Sequence, residues 1–160
     1  MSNSSTHFDH DGSTRMVKIS DKIPTNRRAV SKSRIRMAKE TMEAIVSGRI
    51  SKKGDVLEVA RLAGIMASKQ TSQLIPLCHQ VPLESVRLTS KWLSDGELEW
   101  TAEVDATWKT GVEMEALVAV SIAALTVYDM CKSIDRSMEV IHIGLHEKSG
   151  GKSGHFVRET

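Results

Sequence analysis

The sequence predicts an α+β fold, an antiparallel sheet with helices packed on one face, and three observations carry that prediction. Apolar residues alternate on both sides of Asp95-Gly96, as in a hairpin. Helical periodicity precedes and follows that hairpin, and residues 116–128 form a run without any charge. At 160 residues and 40% hydrophobic content, the chain has material for one core and no second domain.

Residues 1–15 are rich in Ser, Asn, Asp, His and Gly and lack an apolar h-region, so they read as a mobile N-terminal tail rather than a secretion signal. Residues 16–160 then form the single domain. Residues 16–19 and 28–35 read as extended. Residues 37–46 place Ala38, Met42, Ile45 and Val46 on one helical face, with Gly48 as the stop. Asp55, after the polar turn Ser51-Lys52-Lys53-Gly54, suits the N-cap of a second helix whose Ala60, Ala63, Gly64 and Ala67 form a stripe of small residues.

Pro76 and Pro82 lack a backbone donor and bias the residues before them toward extended geometry, so residues 74–82 read as an ordered apolar loop. Val86, Leu88 and Ser90 alternate with polar neighbours, Asp95-Gly96 turns the chain, and Leu98, Trp100, Ala102, Val104 and Ala106 alternate again. A long helix over 112–132 and a strand over 140–145 follow, and residues 148–154 read as a Gly/Lys-rich flexible terminus. Strand, helices, hairpin, helix, strand is the order of a ferredoxin-like sandwich.

The formal charge of +2 conceals an asymmetry: residues 15–53 hold twelve Lys and Arg against three acids. Such a stretch meets either solvent or something negative. Phe8, Phe156 and Tyr128 are the only Phe and Tyr, too few for the stacking platforms of a single-strand binder, so a small phosphorylated ligand is preferred to nucleic acid. The apolar run 116–128 is shorter than the roughly 18 residues of a membrane span. Cys78 and Cys131 are too few for a disulfide framework, which suits a reducing, cytoplasmic setting.

Asp129 and Lys132, three apart on one helical face, read either as an acid/base pair or as an ordinary helix-end ion pair. Lys53 stands at a helix start, where free N–H groups favour an anion, and Lys52 offers the same charge one residue away. His79, between two prolines, reads as a ligand contact or a packed imidazole. A metal site joining Cys78-His79 to Cys131 and His142 or His146 is not expected. In residues 146–153 the phosphate-loop pattern fails because His146 takes the place of its first glycine. Glu113 and Glu115 point to different sides of the long helix, and Glu115 lies about 21 Å along the axis from Asp129. If both ends serve one kind of site, a subunit interface must bring them together.

Lys53-Gly54-Asp55-Val56, Leu74-Ile75-Pro76-Leu77-Cys78-His79, Thr110-Gly111-Val112-Glu113-Met114-Glu115, Tyr128-Asp129-Met130-Cys131-Lys132 and Lys148-Ser149-Gly150-Gly151-Lys152-Ser153-Gly154 occur in one order. Together they resemble the cyclic pyranopterin monophosphate synthase family, the molybdenum cofactor biosynthesis protein C family. The resemblance implies a lyase that rearranges a cyclised dihydroguanosine triphosphate into cyclic pyranopterin monophosphate and releases diphosphate. It implies a homohexamer, a trimer of dimers with the active site at the dimer interface. Asp129, Lys53 and Lys132 would be catalytic. Leu77, Cys78, His79, Met114 and Glu115 would contact substrate, with Glu113, Lys148 and Lys152 in support. No metal and no cofactor is required, Mg2+ with the substrate phosphates being optional. Two rival readings are a phospholigand- or RNA-binding module and a structural subunit without chemistry.

Overall fold

The computed structural model describes residues 11–49 and 54–159. Its one sheet is antiparallel throughout and is built around β1 (Thr25–Arg36), which starts directly after Pro24. β1 pairs with β3 (Glu97–Trp108) on one side and β4 (Glu139–Ser149) on the other. β2 (Ser85–Ser94) and β5 (Phe156–Val157) complete the order β2-β3-β1-β4-β5. α1 (Lys39–Val46), α2 (Val56–Ser68) and the short α3 (Thr71–Leu74) connect β1 to β2, and α4 (Glu113–Cys131) connects β3 to β4. The first four strands thus form two interleaved βαβ units, in agreement with a ferredoxin-like sandwich.

Strand alternation determines which face the helices cover. Ala29, Ser31, Ser33 and Ile35 of β1 and Leu98, Trp100, Ala102, Val104 and Ala106 of β3 are buried. The central strand carries small residues there, so α4 lies close enough for the Ser33 hydroxyl to donate to the Val120 carbonyl at 2.8 Å. α4 packs on β1, β3, β4 and α2, which accounts for its apolarity, although Leu125 remains exposed. A helix of 19 residues this apolar is long enough to cross a membrane, but here it is the core helix of the domain.

Asp55 caps α2 as expected, its Oδ1 accepting from the N–H groups of Leu57 and Glu58 at 2.8 and 3.2 Å. The buried face of α2 is Val56, Ala60, Gly64 and Ser68, so the small-residue stripe is only partly correct. Gly64 permits the α2–α4 approach: a Cβ there would stand 2.6 Å from the Ala119 carbonyl oxygen.

Three expectations need correction. Residues 16–19 lie outside the sheet, and the chain nearby is held instead by side chains, with the His79 ring at 2.7 Å from the Val17 carbonyl oxygen and Lys109 donating to Ser20 at 2.7 Å. Val46 is exposed, because the buried side of α1 is Thr41 and Ile45. Residues 148–154 are not a loose terminus: Lys148 and Ser149 continue β4, glycine turns reverse the chain, and β5 pairs back on Glu147 and Lys148. Gly150 and Gly151 have φ of +95° and +74°, which a side chain would strain. Residues 1–10 of the expected tail lie outside the described residues.

Asp135, absent from the sequence reading, fastens the end of α4 to the start of α1. Its Oδ2 accepts from the Ala38 N–H at 2.8 Å and the Thr41 hydroxyl at 3.1 Å, and its Oδ1 accepts from the Ser137 hydroxyl at 2.6 Å. The Ser137 hydroxyl, then the Ala38 N–H, hold the carboxyl below the usual aspartate range. The native state therefore favours the charged form. The resulting stability is full above the unfolded pKa and disappears as pH falls through the native one. Asp135→Ala should cost about 2 kcal/mol at neutral pH, through the lost cap and the stranded buried donors. Urea unfolding at neutral and at strongly acidic pH checks this, the deficit shrinking in acid.

Candidate active site

Part of the positive charge in the basic N-terminal stretch is neutralised by acids of β3 and of the hairpin turn. Lys32 and Arg34 both reach Glu99 at 2.9 Å, Arg28 pairs with Glu103 and Asp105, and Lys39 pairs with Asp95. Lys22 and Arg27 instead line a cleft of about 760 Å³ at the N-terminal end of α4, a volume within the ordinary range of ligand pockets. Lys109 and Lys152 join them, and Asp21 and Glu113 are the acids. Four cations against two carboxylates make this an anion-attracting cleft.

Several contacts fix its walls. Arg27 donates from Nε to the Trp108 carbonyl at 3.1 Å, and its guanidinium lies across Gly151, where a Cβ would come within 1.7 Å of Nη1. Lys148 donates to Glu113 Oε1 at 3.0 Å and to the Ser153 hydroxyl at 2.9 Å, which ties the glycine turn to the first turn of α4. The Glu113 carboxylate in turn folds over Gly111, where a Cβ would stand 1.8 Å from Oε2. Thus Glu113, Lys148 and Lys152, three residues singled out from sequence, come together here.

Glu115, two residues further along α4, is 3% exposed. Burial pushes its carboxyl up to about 7, opposed by its own backbone N–H and assisted by the charge of Glu113. The Cys78 thiol is raised by burial and then by the Glu115 charge, so the proline loop and the start of α4 share one environment. Leu77, Cys78, His79 and Met114 are all half-buried.

Asp129 and Lys132 stand at the other end of α4. Lys132 Nζ lies 2.6 Å from Asp129 Oδ1, with the side chains 57% and 65% exposed. That hydrogen bond holds the ammonium above its ordinary pKa. One chain therefore does not bring this pair to the cleft, since α4 is continuous from Glu113 to Cys131. Lys52 and Lys53 lie outside the described residues.

Sequence reasoning missed Lys22, Arg27 and Lys109 as cleft residues. Only the excess of basic residues pointed to the first two, without separating them from the cations that β3 neutralises.

The MoaC family model matches residues 16–151. The chain belongs to the MoaC family. Among curated relatives it is similar to the cyclic pyranopterin monophosphate synthase of Desulfitobacterium hafniense, 54% identical over 154 residues that cover 96% of this chain and 94% of the relative. The proteins of the same name from Heliobacterium modesticaldum and Magnetococcus marinus are each 54% identical, covering 96% and 97% of this chain and 97% and 95% of theirs.

For this MoaC-family chain the Glu115 environment gives a pH-dependent stability. The native carboxyl keeps its proton to about 7, while an ordinary glutamate loses it near 4.5. The native state thus binds more protons over that window, so stability falls as pH rises through it. Glu115→Gln should be more stable than wild type above the window, by on the order of 2–3 kcal/mol, and equal to it below. Urea unfolding on either side of the window tests the sign.

Proposed function

We propose that the chain is a cyclic pyranopterin monophosphate synthase, acting in molybdenum cofactor biosynthesis. It converts the cyclised dihydroguanosine triphosphate to cyclic pyranopterin monophosphate and releases diphosphate. The observation that carries this reading is identity of 54% along nearly the whole chain to proteins of that name. The cationic cleft supports it, since Lys22, Arg27, Lys109 and Lys152 suit the charge of a triphosphate.

In this reading a ribose-derived hydroxyl attacks the innermost phosphorus as the bond to the leaving diphosphate breaks, so alignment and charge stabilisation dominate the phosphate step. Asp129, Lys132 and Lys53 carry protons during ring opening and closure. Glu115, titrating at about 7, both gives and takes a proton near neutrality. Leu77, Cys78, His79 and Met114 contact the substrate, and Glu113 and Lys148 hold the cleft wall. Mg2+ bound with the substrate phosphates would neutralise part of their charge, and no residue of this chain is assigned to hold it.

The working unit is at least a dimer, because the ends of α4 lie some 24 Å apart at 1.5 Å per residue and one small site needs both. Val59, Leu62 and Met66 on α2 and Leu125 on α4, all exposed large apolar residues, support a second copy packing on the helix layer. The full assembly is a hexamer, a trimer of dimers, in the cytoplasm, where the free thiols Cys78 and Cys131 stay reduced. Incubating purified protein with the cyclised triphosphate, while following diphosphate and pyranopterin together, tests the function. Both products are expected, and a folded protein that makes neither from competent substrate is not this synthase.

A further inference from the structure

β4 contains His142-Ile143-Gly144-Leu145-His146 on the strand beside β1. Residues four apart on a regular strand stand about 13 Å apart, at 3.3 Å per residue. Here the two Nε2 atoms are 3.4 Å apart and the ring centroids 5.6 Å.

Two features of the backbone bring them together. Val30 faces Glu147 while Ser31 faces Leu145, so His146 is the extra residue of a bulge, a device that re-aims a side chain. Between the histidines, Gly144 leaves its place empty. A Cβ there would stand 3.0 Å from both Cε1 and Nε2 of His142, so that ring lies across the glycine toward its partner. Gly144 pairs with Lys32, on the side of the sheet away from the helices, and neither histidine lines the cleft.

We propose that His142 and His146 bind a transition-metal dication of the copper, nickel and zinc class. Two imidazole nitrogens at about 2.0–2.1 Å from one tetrahedral ion lie about 3.3 Å apart, which is the separation the pair already has. Without an ion, one ring donates Nε2–H to the other. With an ion, both rings carry their proton on Nδ1 and the metal takes the place of the shared hydrogen.

No third histidine, cysteine or carboxylate converges on the pair among the described residues. Glu99 is nearby, but its oxygens hold Lys32 and Arg34. Water or an added ligand completes the coordination sphere. The cations that face His146 are Lys32, held by Glu99, and Arg158, whose Nε donates to the Leu145 carbonyl at 2.7 Å. Their charge lowers affinity for every dication alike, which leaves copper ahead of nickel and zinc in the intrinsic order. The sequence expectation of no metal site overlooked the H-x-x-x-H spacing of His142 and His146, which is the sequence signal for this one.

Calorimetric titration of the full chain with Zn2+ and Cu2+, with electron paramagnetic resonance of the copper form, tests the site. One ion per chain is expected at this pair, with two imidazole nitrogens on copper. The dissociation constant should rise at least tenfold in His142→Gln, in His146→Gln and in Gly144→Ala, the last of which keeps both ligands but displaces a ring. His155→Gln and the pair His7→Gln/His10→Gln should leave it unchanged. Circular dichroism verifies that each variant is folded. Failure of wild type to bind, unchanged binding in Gly144→Ala with both rings present, or loss only in the control variants would overturn the proposal.

Discussion

Lys132→Ala and Asp129→Asn should each lower turnover by about 10²–10⁴ while the protein assembles as wild type does. The structural reason for expecting an intact fold is the exposure of the pair in the single chain, 57% and 65%, at the end of a helix whose packing depends on other residues. Surface pairs of this kind add little to stability. The reason for expecting a catalytic loss is that the hydrogen bond from Lys132 to Asp129 keeps the lysine charged and orients it. Asp129→Asn keeps the shape but removes the charge that raises the lysine pKa, so its activity should also depend on pH differently from that of wild type. Steady-state turnover beside light scattering measures both properties. Full activity in an assembled variant would remove that residue from the mechanism.

The second large effect is on substrate binding in the cleft. Arg27→Ala and Lys152→Ala should each raise KM by roughly 10- to 100-fold, the expected effect of losing one charge-assisted contact to phosphate. Arg27 is the more informative of the two. Its Nε bond to Trp108 and its position across Gly151 fix the guanidinium before substrate arrives, so Arg27→Lys should restore charge but not the forked geometry. Saturation kinetics with the cyclised triphosphate separate KM from kcat, and a loss confined to kcat would place these residues elsewhere in the mechanism.

Wherever local chemistry decides, the fold was readable. Alternation at Leu98, Trp100, Ala102, Val104 and Ala106, the Asp55 cap and the Asp95-Gly96 turn all act over a few residues. The structure agrees with each. Val46 failed because apolar periodicity gives a face but not its width. The reading of residues 148–154 as flexible failed because Phe156 and Val157 form too short a strand to alternate, and glycines at positive φ look like flexible chain when they are in fact making a turn. The role of Asp135 in joining α4 to α1 was invisible because two of its donors, Ala38 and Thr41, lie more than ninety residues away in sequence.

Of the candidate site, Glu113, Glu115, Lys148 and Lys152 were named through the family resemblance of their motifs, and the structure places Glu113 and Lys152 on the cleft with Lys148 bonded to Glu113. Lys22, Arg27 and Lys109 were not named, since each belongs to a different segment and acquires meaning only when β1 and β3 pair side by side. The distance between the Glu113 and Asp129 ends of α4 was readable from helix geometry alone, and it is the origin of the shared-site account.

Subunit complementation tests that account most directly. The Lys132→Ala chain is mixed with an equal amount of the Arg27→Ala/Lys152→Ala chain, and the subunits are exchanged by refolding or co-expression. If each site takes its Asp129–Lys132 pair from one chain and its cationic cleft from the other, random pairing makes about a quarter of all sites wild type. Activity at low substrate should then return to about a quarter of the wild-type value. A mixture no more active than the average of its two parents would mean that the two ends of α4 do not meet in one site across an interface.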